Sequence, residues 1–306
     1  MAAWVERAAP PRLRRFGRRV WDGARLMRLD KPIGIFLLLW PLLWTLWMVS
    51  GGVPRLDVLA IFVAGTIVMR SAGCVINDFA DRDIDPHVKR TQDRPLASRR
   101  VSPNEALVLF AVLVAIALWL VTRLDWLTVA WSVGGAALTV SYPFAKRFFP
   151  LPQFWLGAAF GWAVPMACVA LTGRVGQLGW LLFLVTVLWA AVYDTFYAMV
   201  DRDDDLALGV NSTAIFFGDL DLVVIAGLQL MVLLGLWFAG EGLGYGWRFH
   251  AGLAAGALLF AWQQWRARRR SREGCFRAFL NNHYFGAVVF AGIVWETVVR
   301  GGGATP

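Results

Sequence analysis

The feature that most constrains this chain is a series of apolar stretches of about 20 residues, which follow one another along almost the whole sequence. A helix of that length crosses a bilayer core of roughly 30 Å. Composition agrees, because 58% of the residues are hydrophobic and only 17% are charged, against about 25% charged residues in a typical soluble domain. We therefore expect an all-α, polytopic membrane protein.

The apolar stretches predict nine transmembrane helices and leave no room for a separate soluble domain. The predicted helices cover residues 33–50, 57–79, 105–121, 126–142, 151–171, 179–198, 220–239, 247–265 and 284–299. The first stretch follows an Arg-rich segment without a small-residue cleavage site, which indicates a retained helix and not a signal peptide. We expect an N-terminal segment over residues 1–32, one transmembrane domain over 33–299 and a short tail over 300–306.

The basic residues predict the orientation in the membrane. Of the 30 Lys and Arg residues, 24 lie in the N-terminal segment and in alternate loops, and 5 lie on the opposite side. Because cytoplasmic loops carry the excess of positive charge, the N-terminus is predicted to be cytoplasmic and the C-terminus external. The net charge of +9 does not indicate nucleic-acid binding, because the basic residues lie between apolar stretches and not in one module. The three cysteines are scattered singly, which argues against zinc or redox chemistry.

Acidic residues cluster at two places on the predicted cytoplasmic side. Asn77, Asp81 and Asp85 follow one another at intervals of four, and so do Asp201 and Asp205. Residues four apart share one face of a helix, so each cluster is predicted to direct its oxygen atoms the same way. The alternative is a set of ordinary solvated loop acids. The repeated spacing at equivalent membrane depth favours a functional site.

Carboxylates held side by side repel one another and require a cation. Oxygen-only ligands suit Mg²⁺, which is usually held by one or two carboxylates together with substrate phosphates. The clusters therefore predict a diphosphate substrate bridged through Mg²⁺. Arg94, Lys146 and Arg147 are candidate donors to the diphosphate oxygens, although each is also explained as a charge that sets orientation.

Arg70 lies inside an apolar stretch, where a charged residue is expensive and is a functional candidate by default. It lies two helical turns from Asn77 on the same face, deeper in the membrane. We predict that it binds the anionic group of a second substrate. A structural pairing with a nearby aspartate or carbonyl is the alternative.

Seven segments of the chain resemble the UbiA superfamily of intramembrane aromatic prenyltransferases and together extend over most of its length. They are Arg28–Gly34, Met69–Asp81, His87–Pro95, Ser141–Arg147, Leu156–Trp162, Tyr193–Asp205 and Ser212–Ile215. The paired motifs Asn-Asp-x-x-Asp-x-x-x-Asp and Asp-x-x-x-Asp are specific for the superfamily. The stretches Leu-Asp-Lys-Pro-Ile-Gly and Tyr-Ala-Met-Val-Asp-Arg-Asp-Asp-Asp are similar to the bacterial branch that prenylates 4-hydroxybenzoate.

The resemblance implies nine helices around a central cavity in the bacterial inner membrane, with polyprenyl diphosphate and 4-hydroxybenzoate as substrates. It implies Mg²⁺ at Asn77, Asp81, Asp85, Asp201 and Asp205. The four aspartates and Arg147 are the predicted catalytic residues, and Tyr142 and Tyr193 are placed with Arg70 near the acceptor, where their rings can stabilise an allylic cation.

Two other functions stay open at this point. The same chemistry on another acceptor, such as homogentisate, a naphthoate or haem, differs only in the second substrate. A cation-coupled transporter is less favoured, because both acidic clusters lie at one membrane face instead of near the midplane, and no Gly/Pro-broken helix pair flanks a central site.

Overall fold

The computed structural model describes residues 11–87, 91–145, 149–209 and 211–302. All its longer elements are α-helices, as predicted. Helices α1 to α12 run in chain order over Pro11–Leu26, Ile33–Ser50, Leu56–Ala80, Pro103–Val121, Trp126–Ala145, Pro152–Gly161, Ala163–Thr172, Gly176–Leu208, Thr213–Phe217, Asp221–Gly242, Trp247–Ala267 and Arg272–Gly302. Short 3₁₀ turns lie at Asp85–His87 and Gly218–Leu220.

The prediction of a polytopic helical membrane protein is confirmed. Within the described residues, seven helical segments are long and apolar enough to cross a membrane, namely Ile33–Ser50, Leu56–Ala80, Pro103–Val121, Pro152–Thr172, Gly176–Ala207, Thr213–Gly242 and Arg272–Gly301. The other two predicted spans form the helices α5 and α11. Helix α11 contains Arg248, His250 and Gln263, which lower its apolar character. The count of nine spans therefore stays a prediction.

The single helix predicted over 151–171 is wrong in one respect, because the structure divides it at Trp162 into α6 and α7. Pro165 lacks the N–H that would bond to the carbonyl of Gly161, and its ring crowds that carbonyl. Helix α6 accordingly ends at Gly161. The Trp162 indole Nε1 donates to the backbone oxygen of Trp131 at 2.8 Å, which ties the break to α5.

Helices α8 and α12 are longer than the predicted spans over 179–198 and 284–299. Hydropathy detects only the part of a helix that lies in lipid, whereas backbone hydrogen bonding continues into the polar segment. Helix α8 thereby includes the second acidic cluster. It ends at Gly209, whose φ of 66° suits glycine and whose N–H bonds to the carbonyl of Asp205.

The chain divides into two compact units. The first comprises the described part of Met1–Pro32 and Ile67–Leu118, and its buried core consists of Leu26, Ala72, Val75, Leu96, Ala106 and Leu113. This core joins α1, the end of α3, the following loop and α4. The predicted single domain over 33–299 stays a prediction.

The second unit comprises Ile33–Thr66 and Trp119–Pro306, and α8 lies at its centre, against α6, α10 and α12. Trp189 of α8 is fully buried. Its ring stacks on Trp44 with centroids 5.0 Å apart, and its Nε1 donates to Asn282 Oδ1 at 2.9 Å. The buried Trp189 side chain thus joins α2, α8 and α12, and its polar Nε1 atom keeps a hydrogen-bond partner.

Helices α11 and α12 touch backbone to backbone at Gly252 and Gly292. A Cβ placed on Gly252 would lie 2.9 Å from the Cα of Gly292 and 2.9 Å from the carbonyl oxygen of Val288. Small residues allow such close approach between membrane helices, where packing and not the hydrophobic effect drives association.

Gly252→Ala should therefore destabilise the protein by about 1–3 kcal/mol, since the added methyl group meets rigid backbone. Thermal unfolding of the purified protein in detergent measures the effect. Gly227→Ala in α10 is the matched control, because a Cβ there has no neighbour within 4 Å. An unfolding midpoint for Gly252→Ala at or above that of Gly227→Ala would contradict the close packing.

Candidate functional site

The first acidic cluster keeps its helical spacing beyond the end of α3. The backbone N–H of Asp81 bonds to the carbonyl of Asn77 at 3.0 Å, and the N–H of Asp85 bonds to that of Asp81 at 2.8 Å. Asn77 Nδ2 donates to Asp81 Oδ2 at 3.2 Å. The amide and the first carboxylate therefore lie together on one face, as the spacing predicted.

Asp78, next to Asn77, is the anchor of this region and is only 1% exposed. Both of its carboxylate oxygens accept hydrogen bonds from Arg28 Nη2, at 2.8 and 2.9 Å. Arg94 Nη1 donates to the same carboxylate at 3.1 Å. A buried carboxylate needs charged, hydrogen-bonded partners, and Asp78 obtains two from sequence positions 50 and 16 residues away.

Arg94 also binds Asp85, since its Nη1 donates to Asp85 Oδ2 at 2.8 Å. Burial raises the pKa of the Asp85 carboxyl, and Arg94 opposes that shift. The hydroxyl of Thr91 donates to the Asp85 backbone oxygen at 2.9 Å and fixes the turn. One guanidinium thus bridges two acids of the cluster, so a ligand role for Asp85 requires this ion pair to loosen.

Arg28 reaches Asp78 from an unusual backbone conformation, with a φ of 57°. Its N–H bonds to the carbonyl of Arg25 and the N–H of Leu29 bonds to that of Ala24, the pairing of a Schellman cap that normally has glycine at this position. A non-glycine residue there costs about 1–2 kcal/mol. The double hydrogen bond to Asp78 offsets that cost.

Arg70 lies two turns before Asn77 in α3, as predicted. Its Nη1 donates to Cys74 Sγ at 2.6 Å, one turn along the same helix. The guanidinium is therefore held along the helix face that leads to Asn77.

The second acidic cluster lies on the last turns of α8. Arg272, at the start of α12, lies within 3.3 Å of Asp203 and of Asp204. Asp201 and Asp205 are one helical turn apart and share a face of α8, as the spacing predicted. Arg272 therefore lies beside the same turns of α8 that carry the predicted pair.

The remaining predicted residues lie in the second unit or outside the described residues. Tyr142 is in the last turn of α5. Tyr193 of α8 is buried and meets the Trp189 ring edge-on with centroids 5.6 Å apart. Lys146 and Arg147 lie outside the described residues.

The donor set suits Mg²⁺ held jointly with a substrate. The Asn77 amide and the Asp81 carboxylate lie next to each other, since Asn77 Nδ2 donates to Asp81 Oδ2. Each side chain also carries an oxygen ligand of the kind that selects a hard cation. Among the residues described, no three or more His, Cys, Asp and Glu side chains are grouped closely enough to cage a metal. Mg²⁺ fits this arrangement, because it retains waters and completes its shell with substrate phosphates.

Comparison with known proteins identifies the family. A model of the UbiA prenyltransferase family matches residues 38–288. The chain belongs to the UbiA prenyltransferase family. A UbiA relative from Nitrosococcus oceani, named 4-hydroxybenzoate octaprenyltransferase, is 58% identical over 270 residues, which cover 88% of this chain and 95% of that protein. The protein of the same name from Alkalilimnicola ehrlichii is 55% identical over 283 residues, 92% of this chain and 97% of that protein.

Solved structures share the UbiA fold. The apo structure of a UbiA homolog from Aeropyrum pernix K1 has a TM-score of 0.75 and 28% identity, and covers 86% of this chain and 97% of that chain. A UbiA homolog from Archaeoglobus fulgidus, solved with GPP and Mg²⁺, has a TM-score of 0.67 and 17% identity, and covers 89% of this chain and 99% of that chain.

Arg94→Gln should destabilise this UbiA protein by about 3 kcal/mol, because it leaves two buried carboxylates without their shared cation. Adding Asp85→Asn should restore most of the loss, since Asp78 keeps Arg28. Thermal unfolding of the single and double variants measures the coupling. Arg82→Gln, which breaks an exposed ion pair with Asp83, is the control. If the double variant were as unstable as the sum of its single changes, the bridging role of Arg94 would be rejected.

Proposed function

We propose that this protein transfers a polyprenyl group from polyprenyl diphosphate to the ring carbon ortho to the hydroxyl of 4-hydroxybenzoate, and releases diphosphate. The reaction is a step in ubiquinone biosynthesis. The observation that carries the proposal is the 58% identity to a 4-hydroxybenzoate octaprenyltransferase over 95% of that protein's length. The oxygen-rich clusters on α3 and α8 supply the site chemistry that such a reaction needs.

We assign the binding of Mg²⁺ and diphosphate to the two acidic clusters. Asn77, Asp81 and Asp85 are the proposed ligands of the first cluster, and Asp201 and Asp205 are those of the second. When bound, Mg²⁺ neutralises the charge that develops on the departing diphosphate. The Archaeoglobus fulgidus homolog with GPP and Mg²⁺ supports this assignment.

The chain's basic and aromatic residues complete the first half of the reaction. Arg94, Lys146 and Arg147 are the proposed donors to diphosphate oxygens, which favour breaking of the bond between the allylic carbon and oxygen. Diphosphate leaves with the electron pair. The allylic cation that remains is stabilised over the rings of Tyr142 and Tyr193.

Arg70 is the proposed partner of the acceptor carboxylate. The ring carbon next to the phenolic hydroxyl attacks the allylic cation and then loses its proton, which restores the aromatic ring. The position of Arg70, two turns deeper than Asn77, would place the acceptor beneath the diphosphate. The hydrogen bond from Arg70 to Cys74 orients the guanidinium along that line.

The bilayer is the third partner in this proposal. A polyprenyl tail belongs in lipid, whereas diphosphate and the aromatic acid arrive from water. The excess of basic residues on one side supports a cytoplasmic position for both clusters in the bacterial inner membrane, with the C-terminus in the periplasm.

The purified protein with octaprenyl diphosphate, 4-hydroxybenzoate and Mg²⁺ should form the 3-octaprenyl product, identified by mass. Asp81→Ala or Asp201→Ala should lower kcat by about 10²-fold or more, because each removes an interaction with the leaving group in the transition state. A product from homogentisate or a naphthoate in place of 4-hydroxybenzoate would reject the assigned acceptor. Full turnover in EDTA would reject the metal assignment.

Arg70→Ala should raise the acceptor KM while prenyl diphosphate binding stays near normal. The loss of a charge-assisted hydrogen bond, about 1.5–3 kcal/mol, corresponds to about 10- to 100-fold in KM. Cys74→Ala is the matched control, since it removes the other half of the contact within α3. If Arg70→Ala weakened prenyl diphosphate binding as much as acceptor binding, the acceptor role would be wrong; Cys74→Ala, which keeps the guanidinium, should raise the acceptor KM less than Arg70→Ala.

A further inference from the structure

A buried ion cluster lies beside the second acidic motif. Asp221, the first residue of α10, is fully buried. Its carboxylate accepts hydrogen bonds from Arg202 Nη2 and from Arg270, whose Nε and Nη2 lie 3.1 and 2.9 Å from Oδ1. The backbone N–H of Leu222 donates to the same oxygen at 2.6 Å. Two cations from distant parts of the chain thus converge on one carboxylate.

Arg202 belongs to the acidic motif itself, since it follows Asp201 in α8. Its Nη2 also donates to the carbonyls of Ala214, at 2.9 Å, and Gly218, at 3.4 Å. Asp201, Arg202 and Asp205 lie within about one and a half turns of the helix. Because the guanidinium is fixed from several directions, the rotation of this turn about the helix axis is fixed as well, and with it the direction of the two carboxylates.

Arg270 comes from the segment between α11 and α12 and has a φ of 50°. Its Nη2 also donates to the carbonyl of Asp219 at 2.8 Å. Two residues later, Arg272 binds Asp203 and Asp204. The same short segment therefore contacts α8 directly and holds Asp221, which in turn holds Arg202.

The first unit contains the same arrangement. Asp78 is a buried carboxylate beside Asn77, and it binds two arginines, one of which follows a helix end with positive φ. Arg28 in the Asp78 cluster corresponds to Arg270 in the Asp221 cluster, and Arg94 corresponds to Arg202. Positive φ is uncommon for a residue other than glycine; among the described residues it occurs at Arg28, Arg99 and Arg270, and two of these three bind a buried carboxylate.

We propose that Arg202, Asp221 and Arg270 form a positioning cluster, which holds the last turns of α8 so that Asp201 and Asp205 face the diphosphate. This inference rests on the proposed function. Buried ion pairs contribute little net stability compared with apolar packing of the same volume. Net stability therefore does not account for these three buried charges, whereas the need to fix the direction of the acidic motif does.

Hydrogen–deuterium exchange of the full-length protein in detergent, without metal or substrate, tests the cluster. In Arg270→Gln, amides of residues 198–208 should exchange about 10-fold faster than in the unmodified protein, because the end of α8 opens more often. Arg270→Lys should give a smaller increase. Glu273→Gln, on the same segment with an exposed ion pair to Arg277, should leave the exchange unchanged.

The positioning role is rejected if residues 198–208 exchange at the unmodified rate in Arg270→Gln. It is also rejected if α2 accelerates as much as α8, because that result indicates general loss of stability. If Arg270→Gln yields no folded protein, Arg270→Lys is compared with Glu273→Gln under the same criteria. Since this readout uses no substrate, failure of the unmodified protein to transfer prenyl groups would reject the proposed function separately.

Discussion

A carboxylate at the end of a membrane helix has little water around it, so it persists only beside cations. Asp78 meets this constraint with Arg28 and Arg94. These two ion pairs join the segment before the first span, the end of α3 and the loop after it, beside the apolar core that packs the same segments together. The position of Asn77 and Asp81 depends on them, since Asp78 lies between the two on the same helix.

The distribution of charge supports the proposal that the two acidic clusters bind a highly charged substrate. Asp78, Asp85, Asp203 and Asp204 each pair with an arginine, and the helical spacing puts Asn77 with Asp81, and Asp201 with Asp205, on one face. Acids that bind arginine and acids proposed to bind the cation therefore lie side by side in the sequence, and Asp85 belongs to both groups. Carboxylate and amide groups spaced on one helix face suit a hard cation and phosphate oxygens.

Much of the fold was predictable from the sequence, because hydropathy and helical spacing are local properties. The i, i+4 relation of Asn77, Asp81 and Asp85 is confirmed by backbone hydrogen bonds between them. The break at Trp162 was missed although Pro165 signals it. Arg28 and Asp221 were missed as site residues because their partners are about 50 residues away, and no spacing rule identifies a pairing at that range. Arg94 was predicted as a phosphate donor, and its observed contacts are with Asp78 and Asp85.

The second acidic motif is held by Arg270 and Arg272, which are synthesised about 65 residues later. Asp201 to Asp205 are synthesised before α10 and α11, and Arg270 and Arg272 emerge only after both helices. Until the last two helices have inserted, the end of α8 carries four neighbouring acids, Asp201, Asp203, Asp204 and Asp205, without the arginines of the later segment. The contacts of Arg270 with Asp221 and of Arg272 with Asp203 and Asp204 therefore form only after the helices that separate them in the sequence have been synthesised.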